Sequence, residues 1–351
     1  AAAAALVEIA PATTFLSALR RGNVHGAIDM GLAPGLLPGR VSLDDGREWY
    51  DEWGELPATR GRDTAAILTA AAAGELQTLV LLGADPLADF PDRDLARRAL
   101  DGAGTVIAVD SFLTESSSKA DVVLPAATYA EKSGTTTNLE GRVSRLNAKV
   151  TPPGTARPDW MIAVELASRM GGDLGFESLD GLWDEIERLA PSHEGITRAR
   201  LATSEGLDGI VTGHGGVGRD AGDDDGPARP APLRWSAASA PAEPPQVDSY
   251  SLRLVVTRKL YDGGTSVQRS PSLAPLAAPA ALRVNPTDLD RLGLTTGAKV
   301  RVTSSRTTLD VDAVADAGVP RGSAQLAWGA EAAELIDSSA AVTDARVETL
   351  S

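Results

Sequence analysis

The chain contains no cysteine among its 351 residues. That absence excludes disulfides, thiol nucleophiles, zinc ribbons and Cys-ligated iron–sulfur clusters within this sequence. Histidine is nearly as scarce: His25, His193 and His214 lie far apart and share no metal-ligand spacing. A protein-built transition-metal site is therefore not expected, and a Ser–His triad has little to draw on. Aromatic residues make up only 4% of the chain, which leaves the core to Ala, Leu, Val and Ile. No run of about 18 apolar residues occurs, so no bilayer-spanning helix and no direct membrane insertion are expected. The sequence opens without Met and without the basic start of a signal peptide, from which we expect a piece of a longer polypeptide.

Basic residues are also in deficit. Lys and Arg number 33 against 48 Asp and Glu, a formal net charge of −15. Such a surface repels phosphate backbones and anionic lipid, so nucleic acid is not an expected partner.

What is present reads first as alternating α and β. Asp63 or Thr64 is a plausible N-cap for an Ala-rich helix through Ala73, and Gly74 ends it. Residues 76–82 (LQTLVLL) form a near-continuous apolar run, as expected of a parallel strand covered on both faces. A short helix at 94–100 and a second apolar strand at 105–109 complete a βαβ spacing of roughly 30 residues. Residues 120–124 (ADVVL) make a third strand, stopped by Pro125. A long polar connection, 128–153, follows, then two amphipathic helices at 158–170 and 179–189. From 206 to 249 Gly, Pro, Ala and Asp dominate, the composition of a linker. Beyond it the hydrophobic period becomes 2, at 251–257, 299–304 and 308–314, which predicts strands of an antiparallel, partly solvated sheet. The expected organisation is a parallel-sheet α/β domain (1–205), a linker (206–249), a small β-barrel (250–337) and a tail (338–351).

Several segments formally suggest chemistry. Residues 213–218 (GHGGVG) match G-x-G-x-x-G, but Gly, Asp and Pro follow instead of a helix, so a loop is the better reading. Asp223, Asp224 and Asp225 sit in the Pro-rich stretch and read as a solvated acidic run. Most informative is 120–142, ADVVLPAATYAEKSGTTTNLEGR. Glu131, Asn138, Glu140 and Arg142 could pin its loop or present it to a ligand. Backbone N–H groups beside Thr135, Thr136 and Thr137 would suit a phosphate. The residues alone leave ligand clamp and structural crossover open.

That segment closely resembles the signature of the molybdopterin oxidoreductase superfamily, in which a strand reading A-D-V-V-L-P leads into a loop ending N-x-E-G-R. Residues 79–86 (LVLLGADP) and 106–115 (VIAVDSFLTE) resemble the two preceding strand–turn units. Residues 250–328, with NPTDLDRLGLTTGAKVRVTS at 285–304, resemble the C-terminal dinucleotide-binding domain, a six-stranded double-psi barrel. The likeness covers roughly 62–330. Within the superfamily, 20–43, 82–90 and 135–143 resemble the large iron–sulfur subunit of bacterial NADH:quinone oxidoreductase (respiratory complex I) in its actinobacterial form.

The resemblance implies a C-terminal portion that keeps the fold but acts as scaffold, with no catalytic residue and no cofactor or metal of its own. Asp85, Asp110, Glu131, Asn138, Glu140 and Arg142 would line a vestigial cleft. Iron–sulfur clusters would belong to a missing N-terminal part. The partners would be other subunits of the complex's peripheral arm, on the cytoplasmic side of the plasma membrane. An alternative is a fragment of a molybdopterin-dependent, formate dehydrogenase-like oxidoreductase whose cleft holds the pterin dinucleotide. A third is a free-standing module whose barrel grips a nucleotide or a protein.

Overall fold

The computed structural model describes residues 2–10, 12–13, 15–17, 19, 22–213, 246–248, 250–277, 279–338 and 340–350. The chain forms two compact units, Ala1–Ile67 with Leu124–Ala238, and Leu68–Val123 with Ser239–Ser351. Helices α1 (Ala2–Ile9) and α2 (Val24–Asp29) come first, then a hairpin of two-residue strands, β1 (Leu36–Leu37) and β2 (Val41–Ser42). Tyr50 is fully buried near them with Leu37, Val41, Leu43 and Leu189. Its hydroxyl meets the carbonyls of Pro38 at 2.7 Å and Leu189 at 3.0 Å. Burial, helped by the charge of Glu185, raises its pKa.

Helix α3 (Thr64–Ala72) starts where the sequence predicts. Asp63 accepts from the Ala66 N–H at 2.8 Å, and Gly74, at φ +74°, takes the left-handed turn beyond the helix. Next come β3 (Thr78–Leu82), α4 (Pro86–Asp89), α5 (Arg93–Gly102) and β4 (Thr105–Asp110). Strands β3 and β4 pair in parallel, with Leu79 opposite Val106 and Leu82 opposite Val109, as a βαβ unit requires. Strand β5 (Val122–Pro125) completes a sheet ordered β3-β4-β5. Gly102 lets α3 come close to α5, because a Cβ there would stand 2.6 Å from the Ala71 carbonyl oxygen.

The expected cover on both faces of β3 is not what the structure has. Leu79 and Leu81 are buried, whereas Val80 and Leu82 are 56% and 59% exposed. Unbroken hydrophobicity in a strand says that both faces can be buried, not that a neighbour stands against each.

The polar connection at 128–153 is likewise not a loop. It contains an antiparallel hairpin of β6 (Gly134–Thr137) and β7 (Arg142–Leu146), with Thr136 opposite Ser144. Helices α6 (Asp159–Arg169), α7 (Leu179–Leu189), α8 (Arg198–Leu201) and α9 (Ser204–Asp208) follow. Strand β8 (Ile210–Val211) returns to pair with β7, so the first residues assigned to a linker belong to the packed fold. Val143, Trp183, Ile196, Leu201 and Ile210 form one core, and the Trp183 indole donates to the Ile196 carbonyl at 2.8 Å. Residues 214–245 and 249, which hold all but the first residue of the 213–218 glycine motif together with Asp223–Asp225, lie outside the described residues.

The period-2 region closes on itself. Strands β9 (Ser251–Thr257), β10 (Ala281–Val284), β11 (Lys299–Thr303), β12 (Thr308–Ala315), β13 (Ser323–Ala327) and β14 (Thr343–Thr349) form a closed barrel ordered β10-β12-β11-β14-β9-β13. Short helices α10 (Thr265–Gln268), α11 (Pro286–Arg291) and α12 (Ala330–Glu334) interrupt them. Alternate side chains fill the interior, with Leu252, Leu282, Val300, Val302 and Leu326 fully buried.

Two expectations are corrected in this barrel. The pairing is mixed, since β10–β12 and β9–β13 run parallel; alternation fixes the buried face of a strand but not the direction of its neighbour. The stretch read as a tail supplies the sixth strand, paired to both β9 and β11. Its inward residues include Ala345 and Val347, too small and few to mark a strand in sequence. No helix among the described residues is long and apolar enough to cross a membrane.

Candidate functional site

Open parallel sheets bind ligands outside the carboxyl ends of their strands. Two of the six candidate residues lie there, in the second unit. Strand β3 ends at Leu82, Gly83 turns the chain at φ +57°, and Asp85 precedes Pro86 at the start of α4. Asp110 is the last residue of β4. The Asp85 carboxylate is buried and accepts from the Ser116 hydroxyl at 2.5 Å, while Ser116 Oγ itself accepts from the Leu87 N–H at 3.0 Å. Asp85 is thus built into the turn between strand and helix.

Asp110 accepts from the N–H groups of Ser111 at 2.7 Å and Phe112 at 3.3 Å. Burial pushes its carboxyl above the usual aspartate range; those two donors pull it back, and the charge of Asp85 adds to the rise. A raised carboxyl binds its proton more tightly when folded. Its contribution to stability is fully present below the ordinary aspartate range and is lost as pH rises through the shifted value. Asp110→Asn removes that step. Its urea midpoint, relative to the unmutated chain, is expected to be higher at pH 7 than at pH 3; a difference independent of pH would refute the assignment.

The other four candidates lie in the first unit, where three act together. Asn138 Oδ1 accepts from the N–H groups of Glu140 and Arg142, each at 2.9 Å, and its own N–H donates to the Arg142 carbonyl at 2.9 Å. The Arg142 guanidinium is split between Glu140, at 2.9 Å, and the Gly209 carbonyl, at 3.1 Å. The N-x-E-G-R run is therefore a turn device that closes the β6–β7 hairpin and ties it to the residue before β8. Glu131 serves a separate turn, accepting from the Thr128 N–H at 2.9 Å. Thr135, Thr136 and Thr137 lie in a strand, not in a loop. They are paired in β6, and the Thr137 N–H donates to Asn23 Oδ1 at 2.8 Å.

Sequence reasoning missed a polar clamp inside the second unit. Arg258, just after β9, lies over the Trp328 ring at 4.5 Å, donates to Asp89 and stands 3.7 Å from Asp262. The Trp328 indole reaches the Ala88 carbonyl at 3.3 Å, and Arg269 donates to the Leu113 carbonyl at 2.6 Å. These contacts fasten the barrel to α4 and to the loop after β4. No linear spacing announces them, because the three hydrogen-bonded pairs are separated by 169, 240 and 156 positions. A depression of about 330 Å³ is lined by Thr307, Thr308, Leu309, Asp310, Glu331 and Glu334, none of them a candidate. Among the described residues, no group of three or more His, Cys, Asp or Glu is placed to hold a metal ion.

Comparison with known proteins places these features. The family described as Molybdopterin oxidoreductase matches residues 8–169, and the Molydopterin dinucleotide binding domain matches 252–351. An NADH-quinone oxidoreductase subunit of Rhizobium meliloti is 33% identical over 86% of this chain and 34% of its own length. An NADH-quinone oxidoreductase subunit of Streptomyces coelicolor is 43% identical over 48% of this chain and 21% of its own length. The alpha subunit of F420-dependent formate dehydrogenase 2 of Methanococcus maripaludis is 32% identical over 86% of this chain and 46% of its own length. The chain spans less than half the length of each of these relatives. Acetylene hydratase from Pelobacter acetylenicus superposes with a TM-score of 0.52 at 21% identity, over 75% of this chain and 38% of that one, a likeness of fold alone.

Proposed function

Since the chain belongs to the molybdopterin oxidoreductase family, carrying its two domains in order over most of its length, we propose that it is a C-terminal scaffold portion of the large subunit of an NADH:quinone oxidoreductase. In this reading electrons pass through iron–sulfur clusters held elsewhere in the longer protein. The chain itself has no active site and holds its place among the subunits of the peripheral arm, on the cytoplasmic side of the membrane.

The observation that carries this reading is how the candidate polar groups are used. Asn138, Glu140 and Arg142 close a hairpin, Asp85 fixes a turn through Ser116, and Arg258 is held by Asp89 and Trp328. Each holds a wall of the fold. The 43% identity to the NADH-quinone oxidoreductase subunit of Streptomyces coelicolor adds support.

A pterin dinucleotide, the group the family implies, presents two chemistries: ring amino and N–H donors, and an anionic pyrophosphate. Asp85 and Asp110, adjacent at the strand ends, fit the donors, which carboxylates accept. They repel the phosphates, and Arg258, which could offset that, already faces two carboxylates. This partial fit, with the 32% identity to the formate dehydrogenase alpha subunit over 86% of the chain, favours a second reading, a fragment of a molybdopterin-dependent oxidoreductase of the formate dehydrogenase kind. When bound, that group would supply the redox chemistry.

Molybdenum and pterin analysis of the native full-length protein separates the two. We expect neither at stoichiometric level; stoichiometric molybdenum with pterin would overturn the scaffold reading.

A further inference from the structure

In the first unit, α2 carries His25 and Asp29 one turn apart, a spacing that puts both side chains on the same helical face. Arg40, after β1, reaches both. Its Nε donates to Asp29 Oδ1, and its Nη2 meets His25 Nδ1 at 2.9 Å. Arg40 is held there at φ +58°, a left-handed conformation unusual for a side-chain-bearing residue.

A guanidinium has only donors. Nδ1 of His25 must therefore accept, so it carries no proton, and the ring is neutral with its hydrogen on Nε2. That Nε2–H is buried and, among the described residues, has no protein partner. Asp29 Oδ2 is buried and, among the described residues, likewise without a partner, on a side chain with no exposure at all. One orphaned donor and one orphaned acceptor thus stand on one helix face, tied to one guanidinium.

The chemistry of the pair selects its ligand. An anion would take the Nε2–H but be repelled by Asp29. A metal cation would find a hydrogen instead of a lone pair at Nε2, with the charge of Arg40 beside it. A neutral molecule that accepts and donates satisfies both. Ordered internal waters do this in folded proteins, typically with about three hydrogen bonds to otherwise unsatisfied groups. We propose that the α2 face between His25 and Asp29 holds an ordered internal water that accepts from His25 Nε2–H and donates to Asp29 Oδ2, locking His25 as its Nε2–H tautomer. This inference does not depend on the functional reading.

The chain has only three histidines, so their ring nitrogens can be followed individually by long-range proton–nitrogen correlation on the whole protein labelled at histidine. His25→Gln assigns the signal; should that variant fail to fold, His193→Gln and His214→Gln assign it by elimination. The expected result at neutral pH is a single Nε2–H tautomer whose ring proton exchanges slowly and cross-relaxes with a bound water. An Nδ1–H pattern, an imidazolium, or an Nε2 proton without water contact would each overturn the proposal.

Discussion

Truncation after Asp337 is expected to leave the second unit without a cooperative unfolding transition. The removed residues include β14, which closes the barrel between β9 and β11. Two neighbouring strands then lose their ladder partners together, and each backbone hydrogen bond contributes about 0.5–1.5 kcal/mol net. Val347, which is buried, adds roughly 1.5–3 kcal/mol. Against a total stability of about 5–15 kcal/mol for a domain, the sum is disabling. The freed edges of β9 and β11 would also be open to pairing with other chains. Chemical denaturation followed by near-ultraviolet dichroism checks this, since Trp328 reports on the barrel. A truncated chain with an unchanged midpoint would show that the barrel closes without β14.

Arg40→Ala is expected to destabilise the first unit by about 3 kcal/mol. Removing one member of a buried pair leaves the other charge uncompensated, which typically costs about 3–5 kcal/mol. Arg40 keeps 25% of its side chain in contact with solvent, whereas Asp29 has none. The low end of the range therefore applies, and the asymmetry makes a second point. Asp29→Asn leaves a guanidinium that water can reach, so it should cost less than Arg40→Ala. Arg40→Gly separates charge from backbone: it loses the same pair but relieves the left-handed residue by about 1–2 kcal/mol. Thermal midpoints of the three variants give the order. Equal losses for Arg40→Ala and Arg40→Gly would show that the φ of +58° carries no cost.

How much of this could be read from sequence depended on whether the signal was local. The α3 boundaries follow from Asp63 and Gly74. Strands β3 and β4 announced themselves as apolar runs, and β9, β11 and β12 by a hydrophobic period of 2. Strand order and direction did not, because residues 281–284 and 312–315 meet in parallel through packing that no local pattern encodes. The β6–β7 hairpin was hidden by its composition, Gly and Thr running into Arg and Ser, which reads as loop. At the candidate site, the adjacency of Asp85 and Asp110 was legible, since Asp85 lies in the turn after the first strand and Asp110 ends the second strand of one βαβ unit. The bonds that occupy them were not: Ser116 lies 31 positions from Asp85, and Asp89 lies 169 from Arg258. The His25–Asp29–Arg40 cluster went unseen because a lone histidine and a lone arginine carry no spacing rule across a turn.

The uncovered side of β3 bears on how the molecule behaves in solution. Val80 and Leu82 present apolar surface to water, with half-exposed Val122 and Val123 on the edge strand β5 of the same sheet. Molecules that touch through such surface gain free energy from the water they release. What opposes the encounter is long-range repulsion between chains of net charge −15. That repulsion reaches about 10 Å at 0.1 M salt and only about 3 Å at 1 M, whereas apolar contact is not weakened by screening. Colloidal stability in this chain is therefore a balance between an acidic exterior and one bare sheet face, and ionic strength sets which of them prevails.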